Sequence, residues 1–235
     1  MENFQINKIF DSTLLRPDAT WDEITKFVDE SVRYNVRGIA IPWYAMRYAS
    51  QKVSNTDIRL IAGIDFPFGY SPLELKLREI DYYLSFDERI TDFDVVVNIS
   101  AVKSASWDYV KEEVSVVSQH IKDHERTCKI IVETCRLTED EIERICEIVL
   151  HSPGVDYIKT GTGFGPRGTT LGDVRIIRSI VGDRKKVKVS GGVRTLTQVE
   201  EFLKLGVSLF GSSSATQIID EFTTKQGGSN RCRSC

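Results

Sequence analysis

Residues 155–190 read VDYIKTGTGFGPRGTTLGDVRIIRSIVGDRKKVKVS, and the order within that stretch decides the fold class. A β-branched run at Val155 to Thr160 gives way to a Gly-rich turn and a helical segment. A second such run returns at Val187 to Ser190. Strand, helix, strand is the signature of a parallel βα unit rather than of a sandwich or a bundle. Working outward, similar short runs occur at Ile9 to Thr13, Gly38 to Pro42, Arg59 to Ile64, Phe93 to Asn98, Lys129 to Glu133 and Ser208 to Gly211. That makes eight strands. Between them Thr20-Trp-Asp-Glu23, Ser71-Pro-Leu-Glu74, Thr138-Glu-Asp-Glu141 and Thr195-Leu-Thr-Gln198 read as capping boxes that start helices. Pro72 suits a first helical turn, where its missing N–H is not needed. Eight units in 235 residues predict an α/β fold, a single-domain (β/α)8 TIM barrel over 1–225, with 226–235 as a flexible polar tail. An open doubly wound sheet is the structural alternative.

Charge and composition narrow the function. The 31 basic and 34 acidic side chains leave a net charge of −3 with no dense basic block, so no nucleic-acid partner is expected. No apolar run approaches the roughly 18 residues of a membrane span, and Met1-Glu-Asn-Phe-Gln lacks the profile of a signal peptide. A cytoplasmic protein is expected. Five cysteines, an odd number without regular spacing, point to reduced thiols, and Cys232-Arg-Ser-Cys235 falls in the tail.

Parallel strands buried on both faces should read as continuous apolar runs, so Asp94, Lys159 and Lys188 stand out inside theirs. Any one of them alone reads as a structural ion pair or a strand-end charge. Together they read as a site, because an amine is nucleophilic only when neutral and a neighbouring cation lowers its pKa. Lys159, at the C-terminal end of its strand, is placed like a catalytic barrel residue that forms a Schiff base. Lys188 is placed as the perturbing charge, and Asp94 as the group that relays protons or holds both ammonium groups. Ser190-Gly191-Gly192 after the seventh strand and Gly211-Ser212-Ser213-Ser214 after the eighth fit a phosphate cradle, where barrels often carry one. Gly163-Phe-Gly-Pro-Arg-Gly168 matches the dinucleotide fingerprint formally, but Pro166 removes a donor and no ribose-binding acid follows. It reads as a flexible loop beside Lys159. His120, His124 and His151 fall outside the loops of the barrel mouth, so no metal site is expected.

Tyr157-Ile-Lys-Thr-Gly-Thr-Gly-Phe164 and Lys188-Val-Ser-Gly-Gly-Val-Arg194 resemble deoxyribose-phosphate aldolases, class I aldolases with a (β/α)8 fold. Asp11-Ser-Thr-Leu-Leu15, Phe66-Pro-Phe-Gly69 with Lys76 and Glu79, Asp94-Val-Val-Val-Asn98 and Phe210-Gly-Ser-Ser-Ser214 extend the resemblance along the chain in the family's order. It implies Lys159 as the Schiff-base lysine, Lys188 as the second lysine and Asp94 as the relay acid. It also implies Gly191, Gly192, Ser213 and Ser214 as phosphate contacts, and cleavage of 2-deoxy-D-ribose 5-phosphate to acetaldehyde and D-glyceraldehyde 3-phosphate. No metal or organic cofactor is implied. The expected partner is a small phosphosugar, and the expected assembly a homo-oligomer. Ala40, Gly161 and Asp65 depart from the usual cysteine, serine and glycine. A class I aldolase for another phosphosugar, or a non-catalytic sugar-phosphate-binding barrel, are the alternative functions.

Overall fold

The structure, a computed structural model, describes residues 4–231. Eight parallel strands pair in chain order and close on themselves: β1 (Phe10–Thr13), β2 (Gly38–Ala40), β3 (Arg59–Ile64), β4 (Ile90–Val96), β5 (Thr127–Ile131), β6 (Tyr157–Lys159), β7 (Lys186–Ser190) and β8 (Leu209–Ser212). Closure comes from β8 lying against β1, with Asp11 opposite Gly211. The open-sheet alternative is thereby excluded. The helices are α1 (Trp21–Arg33), α2 (Met46–Val53), α3 (Leu73–Phe86), α4 (Ile99–Lys103), α5 (Trp107–Asp123), α6 (Glu139–Leu150), α7 (Leu171–Val181), α8 (Leu196–Lys204) and α9 (Ala215–Arg231). Strand boundaries move by a few residues from the sequence reading; β4 starts at Ile90, three residues before Phe93.

Alternation along each strand divides the molecule into two interiors. Phe10, Ile39, Leu60, Phe93, Val95, Ile130, Ile158, Val187, Val189 and Phe210 join the hydrophobic cluster that includes the buried faces of the helices. The alternate residues point into the barrel, and the register aligns them: Asp94 opposite Gly63 and Lys129, Ile131 opposite Lys159, Lys159 opposite Lys188. Small residues leave room for the charged ones. A Cβ on Gly38 would stand 2.9 Å from Asp11 Oδ1, and one on Gly211 would meet Ser190 Oγ at 2.1 Å.

Capping boxes form at Thr20, Thr138 and Thr195 as read, and a further one at Thr170 with Asp173 starts α7. Ser71 makes none. Pro72 is the N-cap of α3, and the Ser71 hydroxyl and amide donate instead to Asp65 at 2.8 and 2.7 Å. At the other end, α9 carries its backbone to Arg231, so the expected boundary at 226 falls inside a helix. Cys232 and Cys235 lie outside the described residues.

Candidate active site

The barrel interior holds a closed ring of alternating charges. Arg37, just before β2, reaches Asp11 at 2.6 Å and Asp92 at 2.7 Å. Asp11 accepts from Lys188 at 2.6 Å, and Lys188 continues to Asp94 Oδ2 at 2.8 Å. Lys129 closes the circuit, 3.1 Å from Asp94 Oδ1 and 2.5 Å from Asp92. Three carboxylates and three cations balance. Burial disfavours the charged forms of Asp11, Asp92 and Asp94, but the cations around them outweigh it, and their carboxyls lie below the usual carboxylate range. For Lys129 burial is likewise outweighed, by Asp94 and Asp92, and its ammonium is held above the ordinary lysine range.

Lys159 is the seventh charge, bonded at 2.8 Å to the same Asp94 Oδ2 that Lys188 uses. A proton on Lys159 leaves the cluster with one uncompensated positive charge in a buried interior; losing it restores neutrality. Burial, joined by Lys188 and Lys129, therefore prevails over Asp94 and lowers the Lys159 pKa from 10.5 to about 8. About one molecule in ten then carries the neutral amine at pH 7, against about one in 3,000 for an ordinary lysine.

Of the two lysines only Lys159 opens onto the cavity, a space of about 300 Å³ at the C-terminal end of the barrel. Lys188 is 1% exposed and lies beneath it. Phe66 lies 5.8 Å from the Lys159 ammonium and meets Phe164 edge-to-face, which keeps one side of the amine apolar. Among the described residues, two buried polar atoms at the site have no hydrogen-bond partner, Asp94 Oδ1 and Ser190 Oγ. Asp94 Oδ1 is near Lys129 but not in hydrogen-bonding geometry with it, so it is free to accept from a water or a substrate hydroxyl.

The structure places Gly191, Gly192 and Ser213 in the cavity wall. Gly191 and Gly192 take φ of +94° and +80°, the left-handed region that favours glycine. Gly192 also packs on Gly168, where an added Cβ would stand 3.1 Å from the Gly168 Cα. Ser214 does something else: its N–H donates to Ser212 Oγ at 2.9 Å, and its carbonyl accepts the first bond of α9 from Ile218. Arg16 and Arg194 line the same cavity. The histidines belong to the outer layer, with His120 paired to Asp81 at 2.7 Å.

The Gly163 to Gly168 segment, read as a flexible loop, is fastened at its C-terminal end. Thr169 donates its N–H to Gly191 O at 3.1 Å, and Arg167 grips Asp173 through both guanidinium nitrogens. Behind it lies Glu133, which sequence reading took as the end of a strand. β5 stops at Ile131; Glu133 turns to φ 55° and buries its carboxylate under the loop, accepting from the Thr162 hydroxyl and amide and from the Cys135 thiol. A Cβ at Gly161 would stand 2.9 Å from that carboxylate, which is what a glycine there avoids.

Known proteins resemble this chain along nearly its whole length. The chain is 35% identical over 223 residues to a deoxyribose-phosphate aldolase of Caldanaerobacter subterraneus subsp. tengcongensis, covering 94% of this chain and 95% of that one. The chain belongs to the deoxyribose-phosphate aldolase family. A Clostridium botulinum aldolase of the same name is 38% identical over 220 residues, with 93% and 96% covered. The solved structure of the tetrameric deoxyribose phosphate aldolase from Aeropyrum pernix superimposes with a TM-score of 0.83 at 27% identity, covering 93% of this chain and 91% of that one. No family model matches the sequence. Among the described residues, no helix of this aldolase-family chain is long and apolar enough to cross a membrane.

Proposed function

We propose that the protein cleaves 2-deoxy-D-ribose 5-phosphate reversibly to acetaldehyde and D-glyceraldehyde 3-phosphate through a Schiff base on Lys159. The observation that carries this reading is Lys159 itself, the one charge in excess of a balanced ring and the one amine of the cluster that reaches the cavity. Neutral Lys159 adds to the C1 aldehyde, water leaves, and the resulting iminium is an electron sink. Loss of the C3 hydroxyl proton, through a water held by Asp94 and Lys188, breaks the C2–C3 bond. Its electrons move into the iminium, glyceraldehyde 3-phosphate leaves, and an enamine remains. Protonation at C2 and hydrolysis release acetaldehyde and restore the amine. Assistance of this acid/base kind contributes roughly 10²- to 10⁴-fold.

Formation of acetaldehyde, followed by its reduction with a coupled alcohol dehydrogenase, tests the activity. Turnover with deoxyribose 5-phosphate and none with ribose 5-phosphate or fructose 1,6-bisphosphate is expected. Faster cleavage of either of the others would reassign the substrate.

Gly191, Gly192 and Ser213 are proposed to hold the phosphate, with Ser214 acting through the start of α9. Gly192→Asp or Ser213→Asp puts a carboxylate where the dianion would sit. Either is expected to raise KM for deoxyribose 5-phosphate at least tenfold while changing KM for free deoxyribose about twofold or less. Equal losses on both substrates would show that the loops serve folding instead. Homo-oligomeric assembly and residence in the cytoplasm belong to the same reading. The first is supported by exposed Tyr44, Tyr70 and Tyr82, and the second by the free thiols of Cys128, Cys135 and Cys146.

A further inference from the structure

Four consecutive strands start at an arginine: Arg37 precedes β2, Arg59 opens β3, Arg89 precedes β4 and Arg126 precedes β5. Arg37 is consumed by the charge ring. The other three lie at the N-terminal end of the barrel, the end away from Lys159, and line a second cavity of about 620 Å³.

Their donors are mostly unused. A guanidinium carries five N–H donors in a planar fork. Arg59 reaches Asp92 only at 3.4 Å. Arg89 has the Ser50 carbonyl at 3.4 Å and Asp87 at 3.7 Å. Among the described residues, the Nε of Arg126 is buried and has no hydrogen-bond partner. A buried guanidinium nitrogen left unpaired beside two under-bonded guanidinium groups calls for an acceptor that the described residues do not supply.

Acidic residues also border the cavity, and they limit what can enter. Asp57 is committed to Lys8 at 2.7 Å, whereas Glu88 and Glu125 are exposed at the rim. An extended polyanion would run against those rim carboxylates. A single compact dianion among three forks would not.

We propose that this cavity binds one phosphate group, inorganic or as a monoester, through Arg59, Arg89 and Arg126. Guanidinium forks match phosphate oxygens two at a time, and three of them suit a tetrahedral anion better than a planar carboxylate. The site is independent of the proposed catalytic phosphate cradle, which lies at the opposite end of the barrel.

Calorimetric titration of the full chain with inorganic phosphate at low ionic strength tests this. Two classes of site per chain are expected. One is lost in Ser213→Asp, whose carboxylate would stand in the proposed catalytic cradle, and the other is not. The double variant Arg89→Gln/Arg126→Gln should weaken the second class at least tenfold while leaving the first class and turnover unchanged. Arg126→Lys, which keeps the charge and loses the fork, should weaken it too and serves if the double variant fails to fold. A single class per chain, or a second class untouched by these substitutions, would overturn the proposal. Repeating the titration with a nucleoside 5′-monophosphate separates the sources. At least tenfold tighter binding than inorganic phosphate identifies an ester as the ligand, and equal binding identifies free phosphate.

Discussion

Lys159→Met is expected to lower turnover of deoxyribose 5-phosphate by roughly 10⁴-fold or more and, in the same protein at pH 7, to raise the melting temperature. The first effect follows from removal of the nucleophile. The second follows from proton linkage. In the unfolded chain Lys159 keeps its proton up to about its ordinary value of 10.5, and in the folded chain it gives the proton up at about 8. Between those values the unfolded state binds more protons, so stability rises with pH; below 8 the folded protein bears the whole cost of the buried, uncompensated ammonium. Methionine fills similar space without the charge and leaves the six-membered ring neutral. Asp94 Oδ2 keeps its bond to Lys188. A gain of roughly 5 °C at pH 7, shrinking between pH 8 and 10.5, is the expected result of thermal unfolding across that range. A loss of stability at pH 7 would show that Lys159 is held for its ion pair with Asp94 rather than against it.

Lys188→Leu and Asp94→Asn are expected to shift the pH profile in opposite directions. Removing the Lys188 cation leaves the ring with one excess negative charge, which favours the Lys159 ammonium. The ascending limb of kcat/KM should move to higher pH, with activity at pH 7 reduced and partly recovered toward pH 9. Asn at position 94 removes the carboxylate that accepts from Lys159. The amine becomes easier to deprotonate and the limb moves to lower pH, while the plateau falls roughly 10²- to 10⁴-fold through loss of the proton relay. Profiles from pH 6 to 10 for both variants check the pair. Limbs that stay at the wild-type position with lower plateaus would mean that these residues place water or substrate and do not set the Lys159 pKa.

Much of this was legible in the chain because buried parallel strands make a charge conspicuous. Lys159, Lys188 and Asp94 interrupt apolar runs, and all three meet within hydrogen-bond distance. The rest of the ring was hidden for specific reasons. Asp92 and Asp94 lie two apart and so share a strand face, but the reading began that strand at Phe93 and cut Asp92 off. Lys129 sat at the first position of a strand read as Lys129 to Glu133, where a charge passes as a strand-end residue reaching water; β5 in fact starts at Thr127 and encloses it. Asp11 meets Lys188, 177 residues away in the chain, only because β8 closes on β1, and Arg37 bridges Asp11 to Asp92 from just before the start of β2. Ser71 makes no capping box because its N–H, which Glu74 would have to accept, donates instead to Asp65 six residues earlier, and its hydroxyl turns to the same carboxylate. Glu133 gave no signal, since one acid after Val132 looks like the solvated end of a strand.

The most direct measurement is borohydride reduction of the enzyme in the presence of deoxyribose 5-phosphate, followed by mass mapping of the peptides. A stable adduct is expected on the peptide that contains Lys159, absent from Lys159→Met and present in Lys188→Leu at pH 9. An adduct confined to Lys188 or Lys129, or none on a protein that binds and turns over the sugar phosphate, would contradict it.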